Sequence, residues 1–188
     1  MTTFLNNVLS VQRLNFLFQV ALYMHPLEYL VDTISALVSY GCYIHTDAVL
    51  PLHYAIQQNS PSIVAALLSA RLKFSDTVRQ ALATEDRGTG FLPLHMALSC
   101  GYFECAQELI DAGADVNATC RCDTLNGVTA LELAVRTDNK DAVQLLVQSP
   151  NCQIDKVGTR KFTALLHATV QGLTTMSYFC IVLDVDLQ

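Results

Sequence analysis

Charge is scarce in this sequence. Asp, Glu, Lys and Arg make up 15% of its 188 residues, against roughly 25% in an average soluble domain. With 52% hydrophobic residues alongside, that shortage excludes a disordered chain, which is poor in apolar side chains and rich in charge. Basic residues are the scarcer sign, 11 against 17, for a net charge of −6, and this argues against a nucleic-acid groove. The N-terminal part lacks a membrane span: Leu14 to Leu27, flanked by Arg13 and Glu28, has 14 uncharged residues where about 20 are needed. It also lacks a signal-peptide cleavage site, because His25 and Pro26 follow the apolar run. Seven cysteines, an odd number without paired spacing, do not form the framework of a small secreted protein. Reduced thiols in an intracellular protein, cytoplasmic or nuclear, are the expectation. Catalytic signatures are missing too: there is no Gly-x-Ser-x-Gly elbow and no phosphate-binding loop. Gly88-Thr89-Gly90 lacks the rest of any nucleotide fingerprint.

What is present is repetition. Leu50-Pro51-Leu52-His53-Tyr54-Ala55 recurs as Leu92-Pro93-Leu94-His95-Met96-Ala97, then as Thr129-Ala130-Leu131-Glu132-Leu133-Ala134 and Thr163-Ala164-Leu165-Leu166-His167-Ala168. The copies start 42, 37 and 34 residues apart, converging on a period of about 33 residues. Each copy predicts a short helix opened by Pro or Ala, residues suited to the first helical position. A turn follows at Asn59, Gly101, Asp138 or Gly172, and then a second apolar helix: Ile63–Leu68, Phe103–Ile110, Ala142–Val147 and Met176–Leu183. Gly113 suits a left-handed cap at the end of one of these. Ala114 to Val128 is polar and rich in turn residues, Asn126-Gly127 among them.

These residues resemble the ankyrin repeat. The best copy runs from Leu92 to Ala118, joining the Leu-Pro-Leu-His-Met-Ala opening to a Gly113-Ala114-Asp115-Val116-Asn117 ending. The likeness covers about Pro26 to Leu187 and is strongest over residues 50–155. It implies an all-α solenoid of helix-turn-helix units with β-turn finger loops, about four or five repeats behind an N-terminal capping helix. The expected division is a capping helix over residues 1–26 and a repeat domain over 27–188. The repeats fall at 27–47, 48–76, 90–118, 127–155 and 161–188. The helix of the first segment follows from Phe4, Val8, Val11, Phe18 and Leu22 at steps of three, four or seven, closed by Pro26. Thr77 to Ala83 predicts an extra short helix in the long link between the second and third repeats, with Arg87 to Gly90 as its turn.

The sequence departs from the family at one place in every copy. In the family the opening Thr and His bond to each other. Here Leu50 and Leu92 stand where His53 and His95 are kept, Glu132 replaces the histidine after Thr129, and His167 sits one place late after Thr163. A lost hydrogen bond of this kind costs about 1 kcal/mol. Terminal repeats need a polar outer face, and Tyr178 to Leu183 is apolar. The expectation is therefore a fragment of a longer array, an end covered by a partner, or self-association through an uncapped C-terminal end.

The resemblance implies protein–protein interaction rather than catalysis, with no cofactor, no metal and an unidentified protein partner. The runner-up is a regulatory or targeting segment of a larger enzyme, channel or transporter. The positions expected to face a partner are Gln57, Gln58, Ser99, Cys100, Arg136 and Thr137 after the opening motifs. At the finger tips they are Phe91, Leu125, Asn126 and Val128. Phe91 is the expected anchor, since aromatic residues dominate interface energetics, with packing between adjacent fingers as its alternative. Asn117 looks like the asparagine that asparaginyl hydroxylase modifies in some family members, and Asn117-Ala118-Thr119 also matches a glycosylation sequon. His53 and His95 are expected to be structural. Cys120-Arg121-Cys122 with Cys100 and Cys105 is a poor zinc half-site, because structural zinc favours cysteine pairs two to four residues apart. Glu104, Glu108 and Asp111 share a solvated helix face. Lys156, Arg160 and Lys161 form a basic cluster too small for nucleic acid.

Overall fold

A computed structural model describes residues 51–69, 75–121, 127–158 and 161–172, together with helical positions Asp32, Thr33 and Ala36. The expected capping helix over 1–26 and the finger-tip residues Leu125 and Asn126 lie outside the described residues, as do Cys122, Arg160 and the helix expected at Met176–Leu183. The chain divides into two compact units, Met1–Ala81 and Leu82–Gln188.

In the first unit, α1 (Pro51–Gln57) and α2 (Pro61–Leu68) pack together. Both open on proline, where the missing N–H leaves no bond unmade. Asn59 turns the chain between them with φ +48°. Its amide donates to the Ile56 carbonyl and that of Ser60 to Ala55, closing the helix end. Leu52, Ile56, Ile63 and Leu67 are fully buried between the pair. The short helix predicted in the link is α3 (Ser75–Leu82), which crosses the boundary between the units.

The second unit repeats one arrangement. Helices α4 (Pro93–Cys100) and α5 (Phe103–Asp111) form one pair. A hairpin of β1 (Thr119–Cys120) and β2 (Val128–Thr129) follows, antiparallel, with Thr119 opposite Thr129 and Cys120 opposite Val128. Next come α6 (Ala130–Arg136), α7 (Lys140–Val147) and α8 (Ala164–Val170). Helix α6 pairs with α7 and packs between α4 and α8, while α5 packs on α7. The turns are those predicted: Gly101, Gly113, Asp138 and Gly172 all have positive φ. At Gly101, Gly113 and Asp138 the same two bonds recur, three and five residues back, for example Gly101 to Leu98 and Tyr102 to Ala97.

The helix starts show what the openings contribute. Thr129 and Thr163 accept from the amides of Glu132 and Leu166 through their hydroxyls, at 3.0 and 3.2 Å. Leu92, at the same position, offers no cap and is buried instead, among Cys120, Val128 and Leu133. Five residues into each opening stands a buried alanine: Ala55, Ala97, Ala134 and Ala168. A first helix packed by neighbours needs a small residue there, because helix axes approach only as closely as the side chains between them allow.

Candidate functional site

Two junctions between successive openings hold the second unit together, and they are chemically different. At the first, His95 is completely buried and its Nε2 lies 3.1 Å from the Val128 carbonyl oxygen. A carbonyl only accepts, so Nε2 carries the proton and donates. The other ring nitrogen, Nδ1, is buried with no hydrogen-bond partner. That follows from Leu92 standing in the threonine position. Burial pushes the imidazole down to about 4, against a smaller opposing effect of the Val128 bond. His95 is therefore neutral at physiological pH, and its place is structural.

At the second junction Glu132 takes the histidine position and is 1% exposed. A carboxylate cannot donate to a carbonyl as His95 does. It faces instead His167 of α8, whose Nδ1 lies 3.9 Å from Glu132 Oε1. The late position of His167 turns its ring back toward α6, and Phe162 meets it edge-on at 6.5 Å between centroids. Gly158 completes the fit: a methyl group on its Cα would overlap Glu132 Oε2. Sequence reasoning saw the two substitutions as separate losses and missed their pairing. The signal was available, since Glu132 and His167 stand 35 residues apart in copies offset by 34.

Asn117 ties neighbouring repeats across their turns. Its Nδ2 donates to the Asn151 carbonyl at 2.6 Å and its Oδ1 accepts from the Gln153 amide at 2.8 Å. Beside this tie, a cleft of about 220 Å³ opens between the turns after α5 and α7, walled by Ile110, Val116, Pro150 and Asn151.

The positions expected to meet a partner divide sharply. Gln57, Gln58, Cys100 and Thr137 are exposed, and Ser99 and Arg136 are half-buried at the ends of their helices. Val128 is not an exposed tip. Its side chain is fully buried, because the β1–β2 hairpin folds it onto Leu92 and Leu133. Phe91 is partly buried against the same cluster, so the packing alternative describes its surroundings. Its loop is ordered by Asp86, whose carboxylate accepts from the Gly88 and Thr89 amides and the Thr89 hydroxyl.

Glu104 and Asp111 are exposed along α5, with Glu108 half-buried between them. Cys105 is buried in the same helix, and its thiol is pushed up to about 11 by burial and then by Glu104 and Glu108. That disfavours the thiolate a zinc site requires. Among the described residues no three His, Cys, Asp or Glu side chains gather as a metal site, and no helix is long and apolar enough to cross a membrane.

Residues 18–120 match the family described as ankyrin repeats in three copies, and residues 94–147 match ankyrin repeats in many copies. Human transient receptor potential cation channel subfamily A member 1 is 32% identical over 76% of this chain, a match covering 11% of that protein. The chicken nuclear factor NF-kappa-B p105 subunit is 25% identical over 92% of this chain and 17% of its own length. Mouse Rabankyrin-5 is 27% identical over 61% of this chain and 10% of its own. The chain thus spans only a small part of the relatives it matches.

Proposed function

Because the chain belongs to the ankyrin-repeat family, we propose that it is a non-enzymatic scaffold. It binds a protein partner through the open ends of its first helices and the adjoining fingers. One recurrence carries this reading. Helix α4 buries every residue from Pro93 to Leu98 and opens only at Ser99 and Cys100, and α6 buries Ala130 to Val135 and opens at Arg136 and Thr137. In the first unit α1 is buried at Pro51 to His53, Ala55 and Ile56, half-buried at Tyr54, and opens at Gln57 with the adjoining Gln58. Side chains that are accessible at one register position, on helices whose other faces are fixed by packing, form a preorganised surface, and preorganisation lowers the entropic cost of binding. Phe91 and Val128 belong to the support of that surface. An intracellular setting goes with this reading, and Cys100 and Cys152 are not in disulfides.

The test is site-specific photo-crosslinking in the source cells, with the crosslinking residue placed at Cys100, at Thr137 or at Gln107, which is exposed on α5. Adducts to a common protein from Cys100 and Thr137, absent from Gln107, are expected. Equal adducts from all three positions would overturn the assignment. The second reading, a regulatory or targeting segment of a larger channel or enzyme, is supported by the short share of each relative that the chain covers. A native immunoreactive species far larger than 188 residues would favour it.

A further inference from the structure

We propose that the cleft between the turns after α5 and α7 takes the arginine side chain of a basic partner segment. This ligand is separate from the partner of the first helices, and its failure would leave that reading untouched. The chain reverses at Gly101 between α4 and α5, so the cleft, after the end of α5, and Cys100 stand at opposite ends of that helix pair. Ile110, Val116 and Pro150 are the apolar walls, with Asp115 and Asn151 beside them. The walls come from two repeats that already pack on each other through α5 and α7. The cleft therefore lies along the side of the array, where further repeats at its end would not cover it. Asn117 fixes both sides: its amide donates to Asp115 Oδ1 at 2.9 Å, while its side chain holds the Asn151 carbonyl and the Gln153 amide. The cleft is preformed, which lowers the entropic cost of filling it.

Size and charge identify the occupant. A volume of about 220 Å³ is below the roughly 300–1,000 Å³ of small-molecule sites and suits one long side chain. The C-terminal ends of α5 and α7 both border the cleft, each carrying roughly half a negative charge. Neither helix has a basic residue in its last turn to offset it. Asp115 lines the cleft, and its Oδ2 has no protein donor. No Lys or Arg stands between Arg87 and Arg121, a stretch that holds Glu104, Glu108, Asp111 and Asp115. Among the described residues no Lys or Arg lines the cleft, and Lys140 is at the opposite end of α7. A cation with an apolar stem complements this surface. Arginine lays its stem along Ile110, Val116 and Pro150 and pairs its guanidinium with the Asp115 carboxylate. Lysine is the poorer fit, because an ammonium is more strongly hydrated and gives up more on leaving water.

The probe is the blocked tripeptide acetyl-Ala-Arg-Ala-amide, titrated into the isotope-labelled full chain at low salt and followed by its amide NMR resonances. Saturable shifts confined to Gly113, Ala114, Asp115 and Asn151 are expected, with a Kd on the order of 1 mM. The lysine and leucine analogues are expected to bind about threefold more weakly or worse. Asp115→Asn keeps an oxygen for the Asn117 amide and removes the charge, and it should weaken the arginine peptide about three- to fivefold. Ala114→Leu fills the cleft with the charge intact and should abolish the confined shifts. If Asp115→Asn disturbs the turn before peptide is added, Ala114→Leu decides. No saturable shift up to about 10 mM peptide overturns the proposal. So do shifts spread evenly over the exposed acidic residues, or a lysine or leucine peptide that binds as tightly as the arginine one. Undiminished binding to the folded Ala114→Leu chain would place the contact outside the cleft and overturn it as well.

Discussion

Acidification should destabilise this protein through His95, and the size of the effect follows from its burial. The imidazole is fully desolvated, and its pKa falls from 6.5 to about 4. In the unfolded chain the same group takes a proton near 6.5. Below that pH the unfolded state binds a proton the folded state refuses, so stability is intact above 6.5, falls through the interval and levels off below about 4. Across the whole interval the loss is about 3 kcal/mol, and by pH 5 it is already about 2 kcal/mol. Urea unfolding at pH 7.5 and pH 5, on wild type and His95→Gln, isolates this term. The amide can still donate to the Val128 carbonyl but does not titrate. Both proteins share every other ionisable group, so the excess loss in the wild type, about 2 kcal/mol, belongs to His95. Equal losses in the two proteins would refute the reasoning, because His95 would then be protonated or hydrated in the folded state.

Two further predictions concern the second junction and the turns. Gly158→Ala should cost about 1–3 kcal/mol by forcing the Glu132 carboxylate off its site. In thermal melts, truncating Glu132 to Ala in the same chain should make that cost smaller than the sum of the two single changes, whereas strict additivity would remove Glu132 as the cause. Gly101→Ala meets no atom within 4 Å at φ +74°, so its cost should be the conformational strain alone, about 1–2 kcal/mol. A larger loss in chemical denaturation would mean that packing, and not backbone geometry, requires the glycine.

The turns were legible because their cause is local. A helix that must end within three residues and reverse needs a left-handed residue, and Gly, Asn and Asp tolerate that conformation most readily. Asn59, Gly101, Gly113, Asp138 and Gly172 could therefore be read one by one. The first-helix starts at Pro51, Pro93, Ala130 and Ala164 were legible for the same reason. Val128 was misplaced as an exposed tip because its burial depends on a hairpin laid over Leu92 and Leu133. No property of the segment around it records that.

Repetition in the sequence by itself determined the fold class, the helix pairs and the places where each pair turns. Only the tertiary structure decided what each junction is made of: a neutral histidine bonded to Val128, then a carboxylate facing His167 across a bare Gly158. Helix starts and turns are set by residues within one or two turns of one another. Junctions join residues some 33 to 36 positions apart, and their chemistry depends on how far each helix is rotated against the next. A shift of one residue, as between His95 and His167 in their copies, turns a side chain by about 100°. That rotation is fixed by the packing of the whole pair.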